Sequence, residues 1–166
     1  IPVASLNEAI VYKEKGYLVG AERNGMPVEG FDFGNSPFHY MGEHIKGKTI
    51  VLTTTNGTQA IEAAKAAYKI VIGSFLNIGT LCDFLLEENK NILLLCSGWK
   101  NKFNLEDGVF AGVVTDEIAR RSDRYKLGDA CLALKYLGQI GKRNPNKFLN
   151  YSSHKERLAK LNLKED

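Results

Sequence analysis

Ile50-Val51-Leu52-Thr53-Thr54-Thr55-Asn56-Gly57-Thr58-Gln59-Ala60-Ile61-Glu62-Ala63-Ala64 passes from an aliphatic run, through hydroxyls and one glycine, into an alanine-rich stretch. The apolar run reads as a strand and the Ala/Gln/Glu continuation as a helix beginning at Gly57. Strand, short polar turn and helix form the repeating unit of a parallel sheet, because a parallel partner strand is reached only through a crossover. Outward from this junction the rhythm continues. Strands are expected near 49–54, 69–73 and 91–96, and helices near 57–67, 79–88 and 105–121. Ile92-Leu93-Leu94-Leu95 is continuously apolar, which suits a strand covered on both faces. The expected fold is α/β, a three-layer α/β/α sandwich with a mostly parallel sheet built from strand-turn-helix units.

Before the junction, Ser5-Leu6-Asn7-Glu8 has capping-box spacing for a helix that should stop at Gly16, followed by a short strand at Tyr17–Gly20 and a loop-rich stretch from Glu22 to Lys48. After Ser122, the spacing of Leu127, Ala130, Cys131, Leu134 and Leu137 continues a helical pattern. Gly141 to Pro145 breaks it, and a last short helix is expected from Ser153. No linker divides the chain, so a single domain over 1–166 is expected.

The composition is that of a compact soluble domain, with 44% hydrophobic and 25% charged residues in 166 positions. No run of 18 apolar residues appears, and no n-region with an h-region opens the chain, so a cytoplasmic protein without a membrane partner is expected. Cys82, Cys96 and Cys131 make an odd set without CxxC spacing and read as reduced thiols. The net charge of +3 is uneven: residues 1–119 hold 10 Lys and Arg against 14 Asp and Glu, residues 120–166 hold 12 against 5. A solvated basic surface accounts for that. Nucleic acid is not an expected partner, because Tyr125, Tyr136, Phe148 and Tyr151 are too scattered to interleave with the basic residues as stacking platforms.

The threonine turn has a chemical reading besides the structural one. Unpaired N–H groups at a helix N-terminus lie at the positive end of the dipole, and glycine permits close approach, so Thr54, Thr55, Asn56, Gly57 and Thr58 suit an anion such as phosphate. An ordinary capped turn, with Asn56 or Thr55 as N-cap, uses the same residues. A second segment, Val28-Glu29-Gly30-Phe31-Asp32-Phe33-Gly34-Asn35-Ser36-Pro37, packs two carboxylates, two glycines and small polar groups into ten residues, a composition fit for a rigid loop lined with ligand oxygens.

Four stretches, EGFDFGNSP at 29–37, TTTNGT at 53–58, IGSFLN at 72–77 and LEDGVFAG at 105–112, resemble in order and spacing the 2-phosphosulfolactate phosphatase family. The resemblance covers most of the chain and thins after Arg121. It implies a Mg2+-dependent phosphoric monoester hydrolase that converts 2-phospho-3-sulfolactate to 3-sulfolactate and phosphate, as in coenzyme M biosynthesis. It also implies self-association as a homodimer. Family members open with a strand and an Asp-Val-Leu-Arg-Ala-Thr-like segment that has no counterpart here, and they continue beyond His154–Leu158, so the chain is expected to be a fragment of a longer domain.

A phosphomonoesterase needs charge neutralisation on the transferring group, which a Mg2+ ion held by hard oxygens supplies. Asp32, Glu106 and Asp107 are the candidate metal-ligating and catalytic residues. Glu106 and Asp107 also suit the first turn of a helix on dipole grounds alone. Glu29, Asn35 and Ser36 join Thr54–Thr58, Ser97 and Gly98 as candidate substrate-binding residues, the last two because loops at the carboxyl ends of parallel strands share one crevice. In the other reading, the same helix N-termini bind a phosphorylated metabolite without turning it over.

Two motifs are set aside. Gly42-Glu43-His44-Ile45-Lys46-Gly47-Lys48-Thr49 satisfies GxxxxGK[ST], but it leads into a strand instead of following one and opening a helix. Cys96–Lys102 imitates a cysteine phosphatase loop with Lys102 where a bidentate arginine is needed. His39 and His44 lack HExxH spacing, and His154 is expected as a helix-cap residue.

Overall fold

Ser5 begins the first helix by the chemistry its sequence predicts. Its hydroxyl accepts from the Glu8 N–H at 3.2 Å, while the Glu8 carboxylate accepts from the Ser5 N–H at 3.1 Å. The computed structural model describes residues 1–161. Helix α1 spans Leu6–Glu14 and ends before Gly16, whose φ of +83° suits a residue without a side chain.

The contacts group the described residues into two compact units, one of residues 1–68 with 156–161, the other of residues 69–155. In the first unit, β1 (Leu18–Arg23) pairs antiparallel with the short β2 (Met26–Pro27) and parallel with β3 (Ile50–Thr53). The parallel register sets Leu18 opposite Ile50 and Ala21 opposite Thr53. Residues 1–3 run beside β3, with the Val3 N–H donating to Leu52 O at 3.0 Å. Val3, Ala9, Val19 and Val51 form the core, with Tyr12 and Phe31 packed against it. Helix α2 spans Gly57–Ala63, shorter than the expected 57–67.

In the second unit, α3 (Ile78–Glu88), α4 (Leu105–Arg121) and α5 (Asp129–Gly141) follow the expected order, α6 (Pro145–Leu149) is a short helix that was not expected, and α7 starts at Ser153. Glu106 and Asp107 in the first turn of α4 and Arg120 and Arg121 in its last turn all complement the helix dipole. The core joins Leu81 and Cys82 of α3 to Val114 and Ile118 of α4. Where α4 meets α5, Gly112 and Gly138 bring backbone against backbone: a Cβ added at Gly138 would lie 2.5 Å from Gly112 C and Val113 N.

The α/β class is observed, but the sheet differs from expectation. It is three-stranded and mixed, in the order β2-β1-β3, rather than mostly parallel. Among the described residues, no strand forms at 69–73 or 91–96. Ile92 and Leu94 pack on the helical core, whereas Leu93 and Leu95 are 86% and 52% exposed, so 91–96 is covered on one side only. A strand exists by virtue of its ladder, and among the described residues neither segment pairs with another strand.

A polar clasp closes the α4–α5 pair. Asp116, 2% exposed, accepts from Gln139 Nε2 at 2.7 Å and Lys142 Nζ at 2.6 Å, with Arg120 Nε 3.7 Å away. Burial alone would raise the Asp116 carboxyl, but the hydrogen bonds from Lys142 and Gln139 and the charges of Lys142 and Arg120 outweigh it and leave it below its ordinary value. A depressed carboxyl stabilises the fold above its unfolded value of about 3.9, and that contribution is lost as the pH falls towards the folded value. Asp116→Asn is therefore expected to cost about 1–3 kcal/mol at pH 7 and clearly less near pH 3. Urea melts at both pH values check this; a pH-independent difference would remove the ionic account.

Candidate active site

Asp107 ties the turn after residue 96 to the start of α4. Its Oδ2 accepts from the Gly98 N–H at 2.7 Å and from Ser97 Oγ at 3.2 Å. Gly98 has a φ of +65°, and a Cβ there would meet Lys102 O at 2.6 Å, so glycine is required by both conformation and space. The turn closes on itself by paired hydrogen bonds between Trp99 and Lys102, each 3.0 Å, with Lys100 and Asn101 in left-handed conformations at its tip. The Cys96 thiol faces Asp107 O at 3.6 Å. Burial first, and then the Asp107 charge, push that thiol above its ordinary value.

Next to Asp107, Glu106 accepts through Oε1 from the hydroxyl of Ser152 at 2.5 Å. Its other oxygen, Oε2, is buried and has no hydrogen-bond partner. Buried polar atoms are nearly always satisfied, so an orphaned anionic oxygen marks a place where a cation or donor fits.

The first unit arranges its carboxylates differently. Asp32 Oδ1 pairs with Lys13 Nζ at 3.0 Å, and Oδ2 accepts from the Val19 N–H at 2.9 Å. Burial opposes ionisation, but the Val19 N–H and the Lys13 ammonium prevail and lower the Asp32 carboxyl. Both oxygens are thereby engaged, Oδ2 holding the loop to β1 and Oδ1 holding it to α1. Glu29 and Asn35 are exposed on that loop, and Ser36 precedes a turn of 3₁₀ helix at Pro37–Tyr40.

At the threonine turn, Thr54 and Thr58 bond reciprocally: the Thr58 N–H donates to Thr54 Oγ1 and the Thr54 N–H to Thr58 Oγ1, each at 3.2 Å. Asn56 occupies the N-cap position without a side-chain capping bond, and Gly57 opens α2. The donors of Thr55 are taken. Its N–H and hydroxyl donate to Glu22 Oε2 and Oε1 at 3.0 and 2.7 Å. Glu22 is 6% exposed and also accepts from the Gly25 N–H. Arg23 reaches Thr53 Oγ1 at 2.9 Å.

Sequence reasoning missed Glu22, Arg23, Lys13 and Ser152 as partners of the candidate residues. The first three act across long separations that carry no local signal, whereas Ser152 stands in a recognisable N-cap position before α7.

A sequence model of the 2-phosphosulpholactate phosphatase family matches residues 1–166. The chain belongs to this family. Probable 2-phosphosulfolactate phosphatases from Thermotoga petrophila and Thermotoga maritima are each 40% identical to it over 166 residues, covering 100% of this chain and 70% of theirs. The protein of the same name from Caldicellulosiruptor saccharolyticus is 38% identical over 173 residues, covering 100% of this chain and 72% of its own. Phosphatase chemistry, the hydrolysis of a phosphoric monoester, is thus the activity class of the family.

The Mg2+ ion that the resemblance implies is tested against the residues present. Among the described residues, no group of three or more His, Cys, Asp or Glu gathers to hold a metal, so the expected Asp32–Glu106–Asp107 set does not form a ready cluster. Mg2+ needs less than that. It keeps several waters and is held through one or two carboxylates together with substrate phosphate oxygens. Glu106, with Oε2 unpartnered, offers one such carboxylate, whereas Asp32 has no uncommitted oxygen. The crevice lined by Asp116, Arg120, Gln139, Lys142 and Arg143 contains none of the expected residues and belongs to the α4–α5 clasp. Among the described residues, no helix is long and apolar enough to cross a membrane.

Proposed function

We propose that this chain carries the active-site residues of a Mg2+-dependent, cytoplasmic phosphatase that hydrolyses 2-phospho-3-sulfolactate to 3-sulfolactate and phosphate, the type of reaction found in coenzyme M biosynthesis. The observation that carries the proposal is Glu106, whose buried Oε2 lacks any partner beside an Asp107 already locked to the Ser97–Gly98 turn. Family membership supplies the substrate class.

Glu106 Oε2 is the hard oxygen donor in this reading, and Asp107 fixes the turn that follows residue 96. The Lys100 and Lys102 side chains on that turn supply positive charge near a substrate that carries phosphate, carboxylate and sulfonate groups. When bound, Mg2+ would neutralise phosphoryl charge and stabilise the transition state. In the net reaction water adds across the ester: the P–O bond to the lactate carbon chain breaks, a new P–O bond to water oxygen forms, and the departing alkoxide takes a proton. Within the first unit, Glu29, Asn35, Ser36 and Thr54–Thr58 remain proposed anion contacts. The three cysteines, all free, suit the reducing compartment.

Phosphate release from 2-phospho-3-sulfolactate, measured with Mg2+ and again with excess chelator, tests the proposal. Release that chelation abolishes and Mg2+ restores is the expected result. Substrate binding without release at any Mg2+ concentration would replace it with a non-catalytic anion-binding domain.

A further inference from the structure

We infer that Ser152 is a positioning residue for Glu106, its hydroxyl holding the carboxylate in the orientation that leaves Oε2 unpartnered for a divalent cation. The inference rests on the reading of Glu106 given above.

Ser152 lies just before α7, 46 residues from Glu106 in sequence, and is 1% exposed. Its Oγ accepts from the Lys155 N–H at 3.1 Å and donates to Glu106 Oε1 at 2.5 Å. A serine hydroxyl owns one proton, so the direction of both bonds is fixed: the cap uses a lone pair, and the proton goes to the carboxylate. Capping α7 requires only the acceptor. The donor half of the residue serves Glu106 alone.

A glutamate has three side-chain torsions, and loss of that freedom must be compensated wherever the carboxylate has to wait in one place. Glu106 stands in the first turn of α4, where solvent and helix N–H groups compete for its oxygens. Anchoring Oε1 to a buried hydroxyl removes those alternatives and leaves Oε2 as the single unsatisfied oxygen. Hydrogen bonds of this kind behind a ligating group commonly set metal affinity by about 10–100-fold.

The test uses the purified chain, with Mn2+ binding followed by titration calorimetry and phosphate release followed across Mg2+ concentrations. Ser152→Ala is expected to weaken Mn2+ binding and to raise the half-saturating Mg2+ concentration, each by about tenfold or more. Its kcat at saturating Mg2+ should stay within a few-fold of wild type, and Ser152→Thr, which keeps the hydroxyl, should restore the affinity. A helix cap and nothing more would lower the melting temperature without moving Mn2+ affinity, and that result overturns the inference. Should Ser152→Ala not fold, Ser152→Cys keeps a side chain of similar size with only a weak donor and is expected to show the same loss of affinity. Glu106→Gln separates the two levels of the argument. If it loses Mn2+ while Ser152→Ala binds as wild type, the positioning role alone fails. If it binds Mn2+ as wild type does, the reading of Glu106 itself is wrong.

Discussion

Glu106→Gln is expected to lower phosphate release by about 10²–10³-fold, the scale for removing one group that stabilises a charged transition state, while leaving the fold in place. Glutamine is nearly isosteric and retains an oxygen that can accept from the Ser152 hydroxyl, so the link between α4 and the start of α7 survives. What changes is Oε2, which becomes an amide nitrogen: a donor replaces an anionic acceptor at the atom that has no partner. If that oxygen holds a cation, metal affinity and turnover fall together, and raising Mg2+ does not restore the rate. If the orphan atom is merely a packing imperfection, the amide should be tolerated at unchanged rate and the catalytic assignment would have to move elsewhere. Asp107→Asn makes an informative companion, because an amide oxygen can still accept from Gly98 and the turn is retained while the charge is lost.

The second large effect concerns stability. Gly138→Ala places a methyl 2.5 Å from Gly112 C and Val113 N, and both obstacles are backbone atoms that cannot rotate away. The α4 and α5 axes must separate, which loosens the packing around both glycines. Overpacking of this kind costs about 1–3 kcal/mol or more, and with backbone on the far side the upper end is expected. For a chain of this size about 3 kcal/mol lowers the melting temperature by roughly 6–12 °C. Gly112→Ala should do the same, since its Cβ would collide with Leu134 O. The double variant should cost clearly less than the two single costs together, because helices already pushed apart by one methyl have room for the other. A melting temperature equal to wild type in either single variant would mean that the helices do not meet as described.

Helix α4, which carries Gly112, shows where the sequence was readable. Helix α4 was expected at 105–121 and spans those residues, because its apolar spacing, acidic start and basic end all agree. The Ser5 capping box was equally legible, since every partner lies within three residues. Strands at 69–73 and 91–96 were inferred from apolar runs, but an apolar run states only that a segment prefers to be covered. Whether it becomes a strand depends on a backbone partner that the run does not encode. The same distinction applies to the candidate site. Glu106, Asp107, Ser97 and Gly98 were selected from sequence, and the structure does join Asp107 to Ser97 and Gly98. Asp32 was selected on the same grounds, yet Lys13, nineteen residues away, engages it. Sequence shows which groups carry the chemistry; it does not show which of them have already been neutralised by a distant partner.

Glu22 gives that principle a kinetic and thermodynamic edge. Its two oxygens already occupy the N–H and hydroxyl of Thr55, much as two oxygens of a phosphate or carboxylate would. The turn therefore carries its own resident competitor, tethered at high local concentration. A ligand oxygen reaches those donors only in the fraction of molecules whose glutamate has swung out, and its apparent affinity is reduced by that fraction. In the proposed reading of the turn as an anion site, this displacement requirement disfavours weak, indiscriminate anions such as chloride or free sulfate.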